Sequence, residues 1–240
     1  MSEAVSLAQR AESLARRYHD SDAAQLLRGL IHEEFPERIA VLSSFGAESA
    51  LLLAVVAEID RNVPVIFLDT GKIFPETIEY IATVQAQLGL TDIRRVAPST
   101  EAIGARDPEG ALWHFDPDAC CSLRKVEPML AALGGIDALI SGRKRYHGAL
   151  RRFIPRIEAG EGVVKIDPIA DWSRERVTAE FKLRGLPRHP LEAAGYASIG
   201  CMTCTAPVGS SEEMRAGRWV GQDKTECGIH LPRIAASAAS

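Results

Sequence analysis

Four short β-rich runs, separated by longer stretches with helical periodicity, constrain the fold of this chain more than any other feature of its sequence. The runs cover residues 39–43, 65–68, 93–96 and 138–141. Strands that alternate with helices predict a mostly parallel sheet, because each parallel connection needs a crossover segment, usually a helix. The pattern therefore predicts an α/β domain with a doubly wound, mostly parallel sheet and helices on both of its faces.

The flanking segments extend this prediction. Apolar spacing over residues 5–35 predicts two helices, interrupted near Asp20, that cap an edge of the sheet. Residues 153–169 alternate as a hairpin does, and residues 173–184 predict a helix with Ser173 as its N-cap. Periodicity is lost beyond Gly200. We therefore expect a nucleotide-binding domain over residues 1–200 and a loop-rich C-terminal tail over residues 201–240.

The composition argues against several classes of function. A length of 240 residues, 46% of them hydrophobic, suits one domain with a sizeable core. A formal net charge of −4 argues against binding to nucleic acid or to an anionic membrane, since such proteins carry an excess of Lys and Arg. There is no secretion signal and no apolar run of the roughly 18 residues that a membrane helix needs. We expect a cytoplasmic protein whose five cysteines are ligands or catalysts.

The loops that follow the predicted strands carry candidate residues for binding an anionic nucleotide, because the crevice of such a sheet lies at the carboxyl ends of its strands. In the first loop, small Ser and Gly residues allow backbone N–H groups to surround an anion, and the absence of Lys separates it from a Walker loop. An ordinary tight turn explains this loop about equally well, and a turn explains the second loop better. The candidates are Ser43, Ser44, Gly46, Ala47, Glu48, Ser49, Asp69, Thr70, Gly71 and Gly142.

A run of basic residues follows the last predicted strand. Between residues 143 and 156 there are six Lys or Arg residues and no acidic residue. Guanidinium groups bind phosphate and sulfate through two parallel hydrogen bonds, so this run predicts an oxyanion clamp. We assign that role to Arg143 and Arg145, at the strand end, and interpret Arg151, Arg152 and Arg156 as a solvated basic loop.

Four cysteines form two close pairs, Cys120 with Cys121 and Cys201 with Cys204. Asp116-Pro117 predicts a helix start just before the first pair. Adjacent helical residues point about 100° apart, which suits one zinc ion poorly but suits an iron cluster, whose different irons bind different thiolates. We therefore predict one [4Fe–4S] cluster per subunit on these four thiolates, in preference to zinc. Lys125, which follows the first pair, could point from the cluster to the substrate.

The fifth cysteine, Cys227, has no partner in this scheme. Its sequence neighbourhood contains Lys224, His230, Arg215 and Arg218, and basic groups lower the pKa of a nearby thiol. Cys227 is therefore predicted to be a reactive thiol rather than a buried structural one.

Several of these segments together resemble the assimilatory adenylyl-sulfate reductases, within the adenosine 5′-phosphosulfate and 3′-phosphoadenylyl-sulfate reductase family. The resemblance extends over residues 39–230. The paired-cysteine motifs and the Glu226-Cys227-Gly228-Ile229-His230 segment are its most specific parts. One departure is Tyr146-His147-Gly148, where many relatives have Asp-Gln-Ser.

This resemblance implies an adenine nucleotide α-hydrolase-like fold, a non-redox [4Fe–4S] cluster on Cys120, Cys121, Cys201 and Cys204, and Cys227 as the nucleophile. It implies adenylyl sulfate as the substrate and thioredoxin as the reductant, with sulfite as a product on the route to cysteine. Cys227 would first become an S-sulfonate. Charge on the transferring group and the phosphate would be neutralised by Lys125, Arg143, Arg145, Arg215 and Arg218.

Three other functions remain open from the sequence: a 3′-phosphoadenylyl-sulfate reductase, an ATP-pyrophosphatase of the kind that thiolates tRNA, and a zinc-stapled nucleotide-binding module without turnover. The absence of Lys between Ser44 and Ser49 weighs against the ATP-pyrophosphatase. Iron content separates the enzyme from the zinc module. The sequence does not decide whether the protein forms a homo-oligomer.

Overall fold

The computed structural model describes residues 5–208 and 213–230. Within them, the chain forms a mixed sheet of six strands in the order β3-β2-β1-β4-β6-β5. All neighbouring strands are parallel except β5 and β6, which form an antiparallel hairpin at one edge. The strands are β1 Ile39–Leu42, β2 Val65–Leu68, β3 Ile93–Val96, β4 Ala138–Ile140, β5 Ile157–Gly160 and β6 Val163–Ile166. The predicted α/β class is confirmed, and each predicted strand lies within a residue of its observed position.

The helices lie on both faces of this sheet, as predicted. In the described residues they are α1 Leu7–Arg17, α2 Ala23–Gly29, α3 Ser49–Ala57, α4 Pro75–Leu88, α5 Thr100–Arg106, α6 Leu112–Phe115, α7 Pro117–Cys121, α8 Glu127–Ala132 and α9 Arg174–Leu183. The predicted caps are present: the side chains of Asp116 and Ser173 accept hydrogen bonds from backbone N–H groups at the starts of α7 and α9. No helix of the described ranges is both long and apolar enough to cross a bilayer.

Two hydrophobic layers sandwich the central strands. Ile39 and Val41 of β1 face the larger layer, which includes α3, whereas Ala40 and Leu42 face a smaller layer that includes Met129 of α8. This separation follows from the strand geometry, in which successive side chains point to opposite faces. Because both faces are covered, β1 and β2 are buried along their whole length, which explains why they read as continuous apolar runs.

The N-terminal helices break where expected, between Arg17 and Ala23, and α1 packs against the edge strand β5. Residues 122–126 form a π-helical turn that joins α7 to α8. Such turns are rare and are frequently found at functional sites. Here the turn separates the cysteine pair from α8 and contains Lys125.

The C-terminal tail folds back onto the domain. Cys201 forms an isolated antiparallel bridge with Ile73, in the loop after β2, and Thr205 forms another with Arg218. The N–H of Met202 donates to the carbonyl of Lys72 at 2.8 Å. Parts of the expected tail, residues 209–212 and 231–240, lie outside the described residues, and the boundary expected at residue 200 stays a prediction.

Candidate active site

A pocket lies at the carboxyl ends of β1 and β4, where the sheet order brings the loops that follow these strands together. Its walls come from those two loops, the π-helical turn and the C-terminal tail. Most of the predicted substrate-binding residues line it, together with the predicted nucleophile: Ser43, Ser44, Gly46, Ala47, Glu48, Ser49, Lys125, Gly142, Arg143, Arg215, Arg218 and Cys227.

The loop after β1 is held by packing on both sides. Phe45 is fully buried and has a positive φ of 47°. Its ring packs edge-on against that of Phe67, with 5.8 Å between the ring centroids. A Cβ on Gly46 would lie 3.0 Å from the carbonyl oxygen of Ile199, so only glycine fits there without a shift. This loop therefore needs small residues partly because the tail packs against it. Beyond the loop, Ser49 begins α3, and its N-terminal end borders the pocket.

Glu48 is the centre of a buried polar cluster beside this loop. Its carboxylate pairs with the ammonium of Lys144 at 3.0 Å and accepts hydrogen bonds from the Tyr146 hydroxyl at 2.6 Å and from Nε2 of His147 at 2.9 Å. Burial alone would raise the pKa of Glu48, but His147, Lys144 and Tyr146 outweigh it and hold that pKa well below its usual value. His147, Lys144 and Tyr146 together therefore keep Glu48 ionised.

Arg143 lines the pocket, but its guanidinium is already bound by acidic side chains. It contacts Asp167 at 2.5 Å and Glu158 at 2.7 Å. Burial disfavours the charged form, but Asp167 and Glu158 hold the pKa of Arg143 above its usual value. The strand-end position that suggested an oxyanion clamp thus places this arginine in a structural ion pair between the loop after β4 and strands β5 and β6.

Arg151, interpreted from the sequence as part of a solvated loop, lines the pocket instead. Its Nε and Nη2 donate to the carboxylate of Glu226 at 2.5 and 3.0 Å, and Nη1 donates to Nδ1 of His147 at 3.2 Å. Arg215 also approaches Glu226, at 3.3 Å. Glu226 is 4% exposed, and the arginines hold its pKa below the usual value against the effect of burial. Local sequence gives no sign of these pairs, because Arg151 and Glu226 are 75 positions apart.

Lys125 and Arg218 face the cysteines from the π-helical turn and the tail. Burial disfavours the Lys125 ammonium, but the thiols of Cys201, Cys227 and Cys121 raise its pKa above the usual value. Arg218 donates to the carbonyl of Cys204 at 3.3 Å. A Cβ on Gly200 would stand 2.3 Å from Nη2 of Arg218, so the guanidinium can lie at this position only because residue 200 has no side chain.

The five cysteines lie in one neighbourhood, although only Cys201 and Cys227 line the pocket. The thiol of Cys120 is close enough to those of Cys121, Cys201 and Cys204 for electrostatic interaction, and burial together with these thiols raises its pKa to about 11. The Thr70 hydroxyl lies 3.3 Å from Sγ of Cys201. Within residues 5–208 and 213–230, no three Cys, His, Asp or Glu side chains are arranged to share a single metal ion.

The remaining predicted substrate-binding residues lie outside the pocket lining. Asp69 pairs with Arg95 at 2.5 Å, and the Thr70 carbonyl accepts from Arg124 at 2.8 Å. Gly71 has a positive φ of 69°, typical of a turn. Arg145 is exposed and donates to the carbonyl of Ile154 at 3.0 Å. Asp69, Thr70, Gly71 and Arg145 thus make structural contacts, and the predicted role of these four residues in substrate binding stays a prediction.

Comparison with known proteins identifies relatives along nearly the whole chain. Residues 38–207 match the family described as the phosphoadenosine phosphosulfate reductase domain. A protein of Mesorhizobium japonicum named adenosine 5′-phosphosulfate reductase is 42% identical over 231 residues, which cover 96% of this chain and 91% of that protein. A protein of Chelativorans sp. with the same name is 47% identical over 198 residues, covering 82% of this chain and 81% of that protein.

A solved structure agrees with these matches. The phosphoadenylyl-sulfate reductase of Candida auris, in a phosphate complex, has a TM-score of 0.70 and 27% identity, and the match covers 85% of this chain and 100% of that chain. The family match over residues 38–207 includes the loops after β1 and β4 that border the pocket. This chain belongs to the phosphoadenosine phosphosulfate reductase domain family.

Proposed function

We propose that this protein is a thioredoxin-dependent adenylyl-sulfate reductase that produces sulfite and AMP. The observation that carries the proposal is the presence of a tail cysteine, Cys227, in the same pocket as the Ser- and Gly-rich loop after β1 and the cations Lys125, Arg215 and Arg218. A thiolate and an anionic substrate repel each other, so their reaction needs fixed positive charge where they meet. The pocket supplies it.

In the first step, the Cys227 thiolate attacks the sulfur of the bound sulfate group. An S–S bond forms, and the bond from sulfur to the oxygen bridging to phosphate breaks, so that its electron pair leaves with AMP. The product is an S-sulfonate on Cys227. Lys125, Arg215 and Arg218 are proposed to hold the sulfate and phosphate oxygens, whereas Arg143, bound to Asp167, is proposed to support the pocket wall.

The second step needs an external dithiol. If Cys120, Cys121, Cys201 and Cys204 hold a cluster, the chain has no other cysteine to resolve the intermediate. A thioredoxin thiolate would attack Sγ of Cys227 and release sulfite, and the second thioredoxin thiol would then reduce the mixed disulfide. Two electrons pass from the dithiol to the sulfate sulfur. The need for reduced thiols on both proteins suits a cytoplasmic location.

The four paired cysteines fit one [4Fe–4S] cluster. Three of them are buried, and all four are electrostatic neighbours. In a cubane each thiolate binds a different iron, so the ligands do not need to converge on one point. The backbone N–H of Trp219 donates to the carbonyl of Cys204 at 3.1 Å, and the buried indole N–H of the same residue has no hydrogen-bond partner among the described residues. When bound, the cluster would supply a non-redox charge centre beside the pocket.

Adenylyl sulfate is the proposed substrate rather than its 3′-phosphorylated form. Two of the most similar relatives carry the name adenosine 5′-phosphosulfate reductase. The paired cysteines also favour it, because the members that the sequence resembles in this respect use adenylyl sulfate. A side-by-side assay of sulfite release from the two nucleotides decides between them.

Mass spectrometry of the anaerobically purified protein tests the proposed chemistry. After mixing with adenylyl sulfate and no reductant, the peptide that contains Cys227 should gain one sulfonate, and thioredoxin should then release sulfite. Cys227→Ser should abolish both signals while its iron content and AMP affinity stay at the parent level. Sulfite release by this variant, or a sulfonate on another cysteine, would refute the assigned nucleophile.

A further inference from the structure

A chain of hydrogen bonds runs along the pocket wall from the loop after β1 to the residue that precedes Cys227. Glu48 accepts from Nε2 of His147, whose Nδ1 accepts from Nη1 of Arg151. Since a guanidinium is only a donor, the proton of neutral His147 lies on Nε2. Arg151 then donates through Nε and Nη2 to Glu226. Four side chains from three distant parts of the sequence thus form one network.

Glu226 is the end of this network on the C-terminal tail. Its side chain is 3% exposed and is held by Arg151 and Arg215, and Arg215 also donates to the carbonyl of Thr225 at 3.0 Å. Buried charge-assisted pairs of this kind define geometry, because breaking one leaves an uncompensated charge. Cys227, the next residue, lines the pocket, whereas Glu226 does not.

Resting on the proposed function, we infer that Glu226 is a positioning residue for that reaction: through Arg151 and Arg215 it holds the tail closed, so that the Cys227 sulfur lies over the bound substrate. Glu226 does not touch the reacting atoms. Its carboxylate also occupies N–H groups of Arg151 and competes with substrate oxygens for Arg215, so its loss would let these arginines hold substrate anions at least as tightly while the nucleophile becomes less well placed.

This role predicts opposite changes in two reactions of the same thiol. In Glu226→Gln, the loosened tail should expose Cys227, so alkylation by iodoacetamide in the absence of nucleotide should be about ten times faster than in the parent. Single-turnover sulfonation by saturating adenylyl sulfate should be about ten times slower, and AMP affinity should be unchanged or higher. These magnitudes follow because a charge-assisted hydrogen bond changes an equilibrium or rate constant by roughly one to two factors of ten.

The matched control is Asp223→Asn, which removes a carboxylate from the same tail, where the side chain is exposed. Its alkylation and sulfonation rates should stay within about twofold of the parent. A change in thiol reactivity alone would move alkylation and sulfonation in the same direction, and a folding defect would weaken AMP binding and lower the iron content. Any of these results in Glu226→Gln, or a sulfonation rate equal to the parent's, overturns the inference.

A double-mutant cycle with Arg151→Gln tests the pair itself. If Glu226 acts through Arg151, the double variant should be no slower in sulfonation than the slower single variant, whereas additive losses would overturn this route. Alkylation rates need no substrate. If the parent protein is never sulfonated, the proposed function fails, and the alkylation rates still decide whether Glu226 holds the tail closed.

Discussion

Replacement of Arg143 by methionine is expected to destabilise the whole domain rather than only to weaken substrate binding. The Arg143 side chain is 6% exposed and contacts the carboxylate of Asp167, itself 1% exposed, at 2.5 Å. Methionine fills similar space without charge. Among the described residues, the Asp167 carboxylate would then keep as hydrogen-bond partners only the Ser141 hydroxyl, at 2.5 Å, and the backbone N–H of residue 143, at 3.3 Å.

The expected cost follows from the burial of this pair. Removing one partner of a buried ion pair costs about 3–5 kcal/mol, because the other charge stays buried without compensation. Domains of this kind unfold with a total free energy of only about 5–15 kcal/mol. At roughly 2–4 °C per kcal/mol for a chain of this size, the thermal midpoint of Arg143→Met should fall by about 6–20 °C.

Far-UV circular dichroism at one scan rate, with equal iron content, measures this change. The control is Arg152→Met, in the same basic run, where the side chain is exposed and the midpoint should shift by less than about 2 °C. A midpoint of Arg143→Met within about 2 °C of the parent, together with a large loss of AMP affinity, would refute the structural role. It would restore the oxyanion clamp that the sequence suggested.

Three further outcomes are expected. Cys121→Ala should lose iron, measured per chain after anaerobic purification, and parent-level iron would contradict the ligand assignment. His189 is held neutral, since burial lowers its pKa to about 4 and Nδ1 accepts from the Leu191 N–H. Below about pH 6.5 the unfolded state therefore binds a proton that the folded state does not, so the thermal midpoint should fall from pH 6.5 toward pH 4. The fall should be less steep in His189→Asn, and equal slopes of midpoint against pH in the two proteins would contradict this reasoning. Gly200→Ala should displace Arg218 from the pocket and weaken AMP binding by about tenfold in calorimetry, with unchanged iron, and an unchanged affinity would show that Arg218 does not hold the nucleotide.

The strands could be predicted because their signal is local. Buried parallel strands such as β1 and β2 have apolar residues at every position, and their lengths and the turns around them separate them from helices. The caps Asp116 and Ser173 are local signals too, since each side chain bonds an N–H three residues ahead. These features placed the pocket loops at the correct end of the sheet.

The side-chain partners could not be predicted, because they depend on contacts between distant parts of the chain. Arg143 and Arg151 belong to the same basic run, yet one is bound by Asp167 and the other by Glu226. Nothing near them in the sequence separates these environments. For the same reason, the sequence identified Glu48 only as a residue of the loop after the first strand. In the fold, its carboxylate is bound by Lys144, Tyr146 and His147.

The pocket is assembled from the loop after β1, the loop after β4 and the described part of the tail, whereas the strands and the helices that cover them form the hydrophobic core. The core buries most of the apolar side chains of the domain, and this burial is the main favourable contribution to its stability. Substitutions in the strands should therefore reduce how much protein accumulates in a cell, since unfolded chains are degraded. Substitutions between residues 199 and 227 should leave the amount near normal and reduce the turnover of each molecule, so abundance and specific activity will separate the two kinds of variant.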